Sequence, residues 1–230
     1  MGRWSPPIPP PTALPGSQIL PLRPRELVRG LRGHSGHLAG NAGLREVIET
    51  HIPITRFEQA RVPFHVVTAD TASREKVVLS HGDIAAALLA TTAIPGIYPP
   101  VEIDGRFLVD GELAEDPPLG TAIEHGATTV YVLPVGWPLD PARAIGARSR
   151  AMDALDWLFW RVAKAELDRW ASECRLYVLP SPPVHGVFPL SPSSARVLID
   201  RAEHMTRRWL PTARRWPRSS PRPLAPRSAL

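Results

Sequence analysis

Cysteine is nearly missing from this sequence: Cys174 stands alone among 230 residues. One thiol excludes an internal disulfide and any cysteine-based metal centre, and it gives no sign of export, so a reducing cytosol is the expectation. Long apolar runs are missing as well. None approaches the ~18 residues of a membrane span, and the early prolines leave no apolar core of about seven residues such as a secretory signal needs. Carboxylates are absent before Glu26 and again from Met205 to Leu230, a stretch that holds seven arginines. The formal charge of +5 is therefore concentrated at the C-terminus, and the rest of the chain is close to neutral.

What is abundant is proline. Of 28 prolines, eight lie in the first 24 residues, which read as an extended or disordered leader. Residues 211–230 read as a disordered Arg/Pro tail, and residues 25–210 as one folded domain with ordinary apolar content. In the tail, arginine alternates with proline and tryptophan (Arg214-Arg215-Trp216-Pro217-Arg218) without a recognisable nucleic-acid fold, so no nucleic-acid partner is expected. A solvated tail is the plain reading; peripheral contact with an anionic membrane is the functional one.

Between these segments, helical and strand-like patterns alternate. LREVIETH (44–51) places Leu44, Val47 and Ile48 on one helical face. FHVVT (64–68) suits a buried strand, and Asp83 stands before the helix-prone AAALLATT. LGTAIEH (119–125) makes a short helix stopped by Gly126. TVYVLPV (129–135) and CRLYVL (174–179) read as strands on either side of an amphipathic helix, Met152 to Trp170, with Leu155, Leu158, Phe159, Val162 and Ala163 at helical spacing. Ser193 caps a last helix running to about Leu210, with Val197, Leu198 and Ala202 inward. The alternation predicts an α/β domain whose parallel sheet is covered on both faces.

One stretch carries chemistry. In ATTAIPGIYPPVEIDGRFLVDGELAEDPP (90–118), a strand-like run, Phe107-Leu108-Val109, delivers a carboxylate, Asp110, onto Gly111. Alone, Asp-Gly is a favoured turn pair and means little. Together with the Ala93–Pro100 connector, the order of motifs resembles that of the patatin-like phospholipases. FHVVTAD is similar to the family strand ending in a T/A-D pair, AIPGIYPP to its small-residue connector with Tyr98 where Phe is usual, and IDGRFLVDGE to its G-x-x-x-x-D-G-G/A signature.

The resemblance, drawn from about Gly43 to Leu210, implies a three-layer α/β fold with a mostly parallel central sheet flanked by helices. It implies hydrolysis of lipid carboxylic esters by a Ser–Asp dyad, with no cofactor and no metal. Asp110 would be the general base, and Gly111 would supply backbone freedom and room beside the serine.

The nucleophile half of that pattern is not here. The sequence contains no G-x-S-x-G and no Gly-rich oxyanion loop. Gly33-His34-Ser35-Gly36-His37 fails on spacing, and the segment before it, interrupted by arginines, is no elbow strand, so Ser35 reads as a loop serine. His34 and His37 lack a third ligand for zinc. Glu112 replaces the usual Gly or Ala, where a second carboxylate would raise the base's pKa, and Asp116 stands where an Asn usually precedes proline. The resemblance thus implies an N-terminally incomplete fold, truncated or decayed, with an inactive site. The expected alternative is a non-catalytic binding module that uses the basic tail at anionic membranes.

Overall fold

The computed structural model describes Val28, Arg32 and residues 36–134, 147–182 and 192–216. The leader, Gly33-His34-Ser35 and residues 217–230 lie outside that set.

The protein is α/β. β1 (Val66–Asp70) turns back into β2 (Lys76–Leu79), and β3 (Val101–Ile103) turns back into β4 (Arg106–Asp110). They form one four-stranded sheet in the order β2-β1-β4-β3, antiparallel at every junction. This corrects the expectation of a mostly parallel central sheet containing the 64–68 strand. Loop length gives the reason. Only Thr71–Glu75 separate β1 from β2, too few for the crossover that a parallel neighbour requires. β3 and β4 are joined by Asp104-Gly105, both at positive φ (51° and 75°), the geometry of a tight two-residue hairpin turn.

A parallel pair does exist, set apart. β5 (Thr129–Val132) pairs with β6 (Arg175–Val178) in a two-stranded sheet. Between them runs a long helix, so this connection is long enough to return the chain in the same direction.

Among the described residues five α-helix segments accompany the strands: α1 (Ala42–His51), α2 (Ile84–Thr91), α3 (Leu119–Glu124), α4 (Ala147–Trp170) and α5 (Pro192–Trp209). Asp83 caps α2, its side chain accepting from the Ala86 N–H at 2.7 Å, as its place before the helix-prone run foretold. α3 ends as Gly126, at φ 88°, donates back to Ile123. Two cores result. Leu108 and Val66 on the antiparallel sheet pack with Ile84, Ala87 and Ala90 of α2, and Leu167, Ala171, Leu176 and Val132 join Leu119 of α3.

Three details differ from the sequence reading. α4 buries Ala163, which was expected inside, and Leu167, with Ala171 just past its end, while Leu158 and Val162, also expected inside, are exposed. Trp216, assigned to the tail, is buried among otherwise mostly exposed neighbours: its indole N–H donates to Asp168 at 2.9 Å, and its backbone N–H donates to the Leu176 carbonyl. Val197 on α5 is also exposed rather than inward. Among the described residues, no helix is long and apolar enough to cross a membrane.

Candidate functional site

Asp110 is the last residue of β4, opposite Thr68 on the central strand β1. Its backbone N–H donates to the Ala93 carbonyl at 3.1 Å, tying the strand end to the connector. The connector is itself fixed: Leu38 and Ala39 donate to the carbonyls of Gly96 and Ile97, and Ala39, Ala93 and Tyr98 form a small buried cluster. The sequence motif and the Asp-Gly pair are therefore parts of one scaffold, joined by a hydrogen bond.

Gly111 is needed here for a reason other than the one expected. It has no positive φ; instead a Cβ built on it would lie 2.2 Å from the Val67 carbonyl oxygen. The strand end presses against the backbone of β1, and only hydrogen fits between them. Asp-Gly as an ordinary turn pair occurs six residues earlier, at Asp104-Gly105.

The Asp110 carboxylate lines a cleft of about 460 Å³ together with His65, Thr91, Thr92, Glu112 and Asp116. Burial pushes its pKa up, and one hydrogen bond accepted from the Glu112 N–H, at 3.0 Å, pulls it back. Among the described residues this N–H is the only hydrogen-bond donor to that carboxylate. The hydroxyls nearby are already committed: Thr91 donates to the Val67 carbonyl at 2.6 Å and Thr92 to Leu88 at 2.7 Å. Glu112 is shifted up by partial burial, then by the charges of Asp110 and Asp116. Its backbone, more than its side chain, acts on Asp110.

Asp116 is the most displaced of the three. Burial, and then the charge of Asp110, push its carboxyl up to about 6. The fold therefore holds this proton more tightly than the unfolded chain does, and the stability gained at low pH is lost as pH rises through about 6. Removing the charge should help only where it exists. Asp116→Asn is expected to raise the melting temperature by a few degrees at about pH 8 and hardly at all at about pH 4.5. An equal shift in melts at both pH values would contradict the assignment.

Two features escaped the sequence reading. Glu115, its side chain only 8% exposed, accepts from the Thr121 N–H and hydroxyl and pairs with Lys76 at 3.1 Å. It thereby ties α3 to β2 just behind the cleft. His65 pairs through Nδ1 with the Ser80 hydroxyl at 2.7 Å, and its ring lies against that of His125, centroids 3.8 Å apart and planes tilted by 39°. Ser35 lies outside the described residues, as does His34. His37 forms a bridge with Gly96, and no cluster of metal-ligating side chains occurs among the described residues.

Comparison with known proteins agrees with the geometry. Residues 20–123 match the patatin-like phospholipase family. The matched patatin-like segment contains the whole antiparallel sheet, the connector and Asp110-Gly111, and it stops before β5, short of the Leu210 to which the resemblance was drawn. The chain is also similar to uncharacterized NTE family proteins of Mycobacterium bovis and of two strains of Mycobacterium tuberculosis, at 34% identity over 87 residues. That alignment takes in 37% of this chain and 24% of each relative, so the chain spans about a quarter of the length of the curated relatives it matches.

Proposed function

We propose that this chain carries the base-bearing part of a lipid-ester hydrolase site, with Asp110 as the general base of a Ser–Asp pair. In that chemistry a serine oxygen attacks the ester carbonyl carbon while its proton passes to the carboxylate. The leaving alcohol takes the proton up, and water then releases the acyl group as a carboxylic acid. The observation that carries the reading is the position of Asp110: on a strand end fixed by Ala93, with no Cβ tolerated at the next residue, and half-buried so that its proton affinity rises. A raised pKa makes a carboxylate a better proton acceptor, and it moves the loss of base function on acidification to a higher pH than an exposed aspartate would show.

The same reading makes these 230 residues a weak catalyst or none. They contain no G-x-S-x-G, and the described hydroxyls of the cleft are spent on backbone carbonyls. Hydrolysis of a short-chain nitrophenyl ester is expected to stay at the blank rate, with Asp110→Ala indistinguishable from the parent. Turnover that Asp110→Ala removes would overturn the reading of an inactive chain.

A second reading, a non-catalytic patatin-fold module at anionic membranes, is favoured by one observation, the acid-free run of seven arginines from Met205.

A further inference from the structure

The two-stranded parallel sheet is packed on one face only. Val130, Val132, Leu176 and Val178 turn into the second core. The alternate residues turn outward. Tyr131 and Tyr177, opposite one another in register, stack with ring centroids 5.1 Å apart and planes 15° apart. Tyr131 is 56% exposed and Leu133 69%. Parallel strands normally carry a covering layer on both faces, and this aromatic face has none among the described residues.

At the β5 edge the open face meets a groove of about 330 Å³, lined by Tyr131, Leu133 and Pro134 and by Pro117, Glu112 and Asp116. Glu112 is the exposed carboxylate of the pair and Asp116 the deeper one. Burial and the charges of Asp110 and Asp116 raise the Glu112 pKa, and no cation offsets them. Arg175, on the same face as the tyrosines, stands at the other end of the strands and donates to the Thr129 hydroxyl at 2.9 Å. The groove thus lacks a described cation beside Glu112.

The described chain stops on this sheet. Arg175 and Leu179 donate to Thr128 and Val132 on the β5 side, so the Leu176 carbonyl between them faces the opposite edge of β6. There it accepts from the Trp216 N–H at 2.7 Å. Residues 217–230 continue from that point. They hold Pro217, Pro221, Pro223 and Pro226 with Arg218, Arg222 and Arg227, and no carboxylate side chain. Proline-rich segments dock on aromatic-lined surfaces, and a guanidinium adds a charge-assisted bond to a carboxylate. Reach suffices: strands lie about 4.8 Å apart and an extended residue spans about 3.3 Å, so about five residues cross both strands. Arg222 lies just beyond that span. Other segments suit the face less. In residues 135–146 Asp140 offsets Arg143, and the leader joins the described fold beside the connector, where His37 bridges to Gly96.

We propose that residues 217–230 dock across the open face of β5 and β6, prolines on the Tyr131–Tyr177 pair and an arginine on Glu112. This holds whether or not Asp110 acts as a base, and it turns the tail onto its own domain rather than towards a membrane. The groove and the Asp110 cleft share Glu112, Asp116 and Pro118, so the docked segment stands beside the approach to Asp110. A guanidinium on Glu112 leaves in place the burial and the Asp110 charge that raise Asp116.

The test is limited trypsin digestion of the folded full chain, with the rates of cleavage after Arg25, Arg143, Arg218 and Arg227 read by mass. Cleavage after Arg218 and Arg227 is expected to be about tenfold faster in Tyr131→Ala than in the parent. It should also be faster in Glu112→Gln. Rates after Arg25 and Arg143 should not change, and circular dichroism should show both variants folded, since both side chains are exposed. Tail cleavage equally fast in the parent and both variants would overturn the proposal. So would faster cleavage after Arg25 or Arg143 instead, which would give the face to the leader or to residues 135–146. Protection of the parent's tail that is lost on dilution would give the face to a second copy, and would overturn it too.

Discussion

Gly111→Ala is expected to cost the fold at least about 3 kcal/mol, enough to lower the melting temperature by about 10 °C or to prevent folding. The new methyl carbon would sit 2.2 Å from the Val67 oxygen and 2.7 Å from its carbonyl carbon. Both are backbone atoms of β1, a strand held on one edge by β2 and on the other by β4, so neither can swing aside. Relief requires moving β4 away from β1, which breaks the register that places Asp110 opposite Thr68. Gly40→Ala is the control: its methyl meets nothing within 4 Å, and a change within about 0.5 kcal/mol is expected. Thermal melts of the two variants should separate widely. A Gly111→Ala protein as stable as its parent would mean that the Asp110 loop does not lie against β1.

The second large effect is expected at Glu115. Its carboxylate accepts from Thr121 at two atoms, 3.1 Å from the N–H and 2.6 Å from the hydroxyl, and lies 3.1 Å from the Lys76 ammonium. Such hydrogen bonds to a charged, buried acceptor contribute more than neutral ones, and deleting the acceptor leaves Thr121, itself buried, with two donors and no partner. Glu115→Ala should therefore destabilise by about 2–4 kcal/mol in urea melts. Glu115→Gln should recover part of this, because an amide oxygen still accepts from Thr121 while the attraction to Lys76 is lost. The site should suffer with the fold: α3 and the Asp116 loop reach β2 through this side chain, so loosening it opens the cleft that holds Asp110. A loss below about 0.5 kcal/mol would show that Glu115 is a solvated surface residue instead.

The scaffold that joins Asp110 to the connector was legible in the sequence, and the reason is local. Asp110, Gly111 and the Ala93–Pro100 connector lie within 20 residues of one another, and the hydrogen bond from Asp110 to Ala93 converts that nearness into one structural unit. Strand pairing was less legible. The short apolar run in FHVVT (64–68) suits a buried strand, and β1, Val66–Asp70, is buried along its whole length. An antiparallel strand covered on both sides produces the same pattern as a parallel one, so direction had to come from loop length. KVVL, the neighbour that decides it, was not read as a strand at all. The His65–Ser80 pair was hidden for the same reason, since it exists only across the β1–β2 pairing.

α4 failed in another way. Its sequence offers two apolar stripes, one through Leu158 and Val162, with which the sequence reading grouped Ala163, and another through Ala163 and Leu167 that continues past the helix end to Ala171. Periodicity alone does not say which one meets the core. The smaller side chains won, where the helix packs against Leu176 and Leu119. Trp216, placed in a tail by its Arg/Pro neighbours, illustrates a single aromatic overriding local composition: burying its ring and satisfying its N–H on Asp168 fixes the chain around it.

The reading of Asp110 as a base without a nucleophile in this chain is tested most directly by a fluorophosphonate probe and the intact mass. The expected result is a mass unchanged by the probe, from a protein that circular dichroism shows to be folded and to melt cooperatively. A single stoichiometric adduct, lost in Asp110→Ala, would mean that a serine of these 230 residues works with Asp110. An adduct that persists in Asp110→Ala and disappears in Ser80→Ala would place the nucleophile on the His65–Ser80 pair, and would contradict the role given to Asp110 just as firmly.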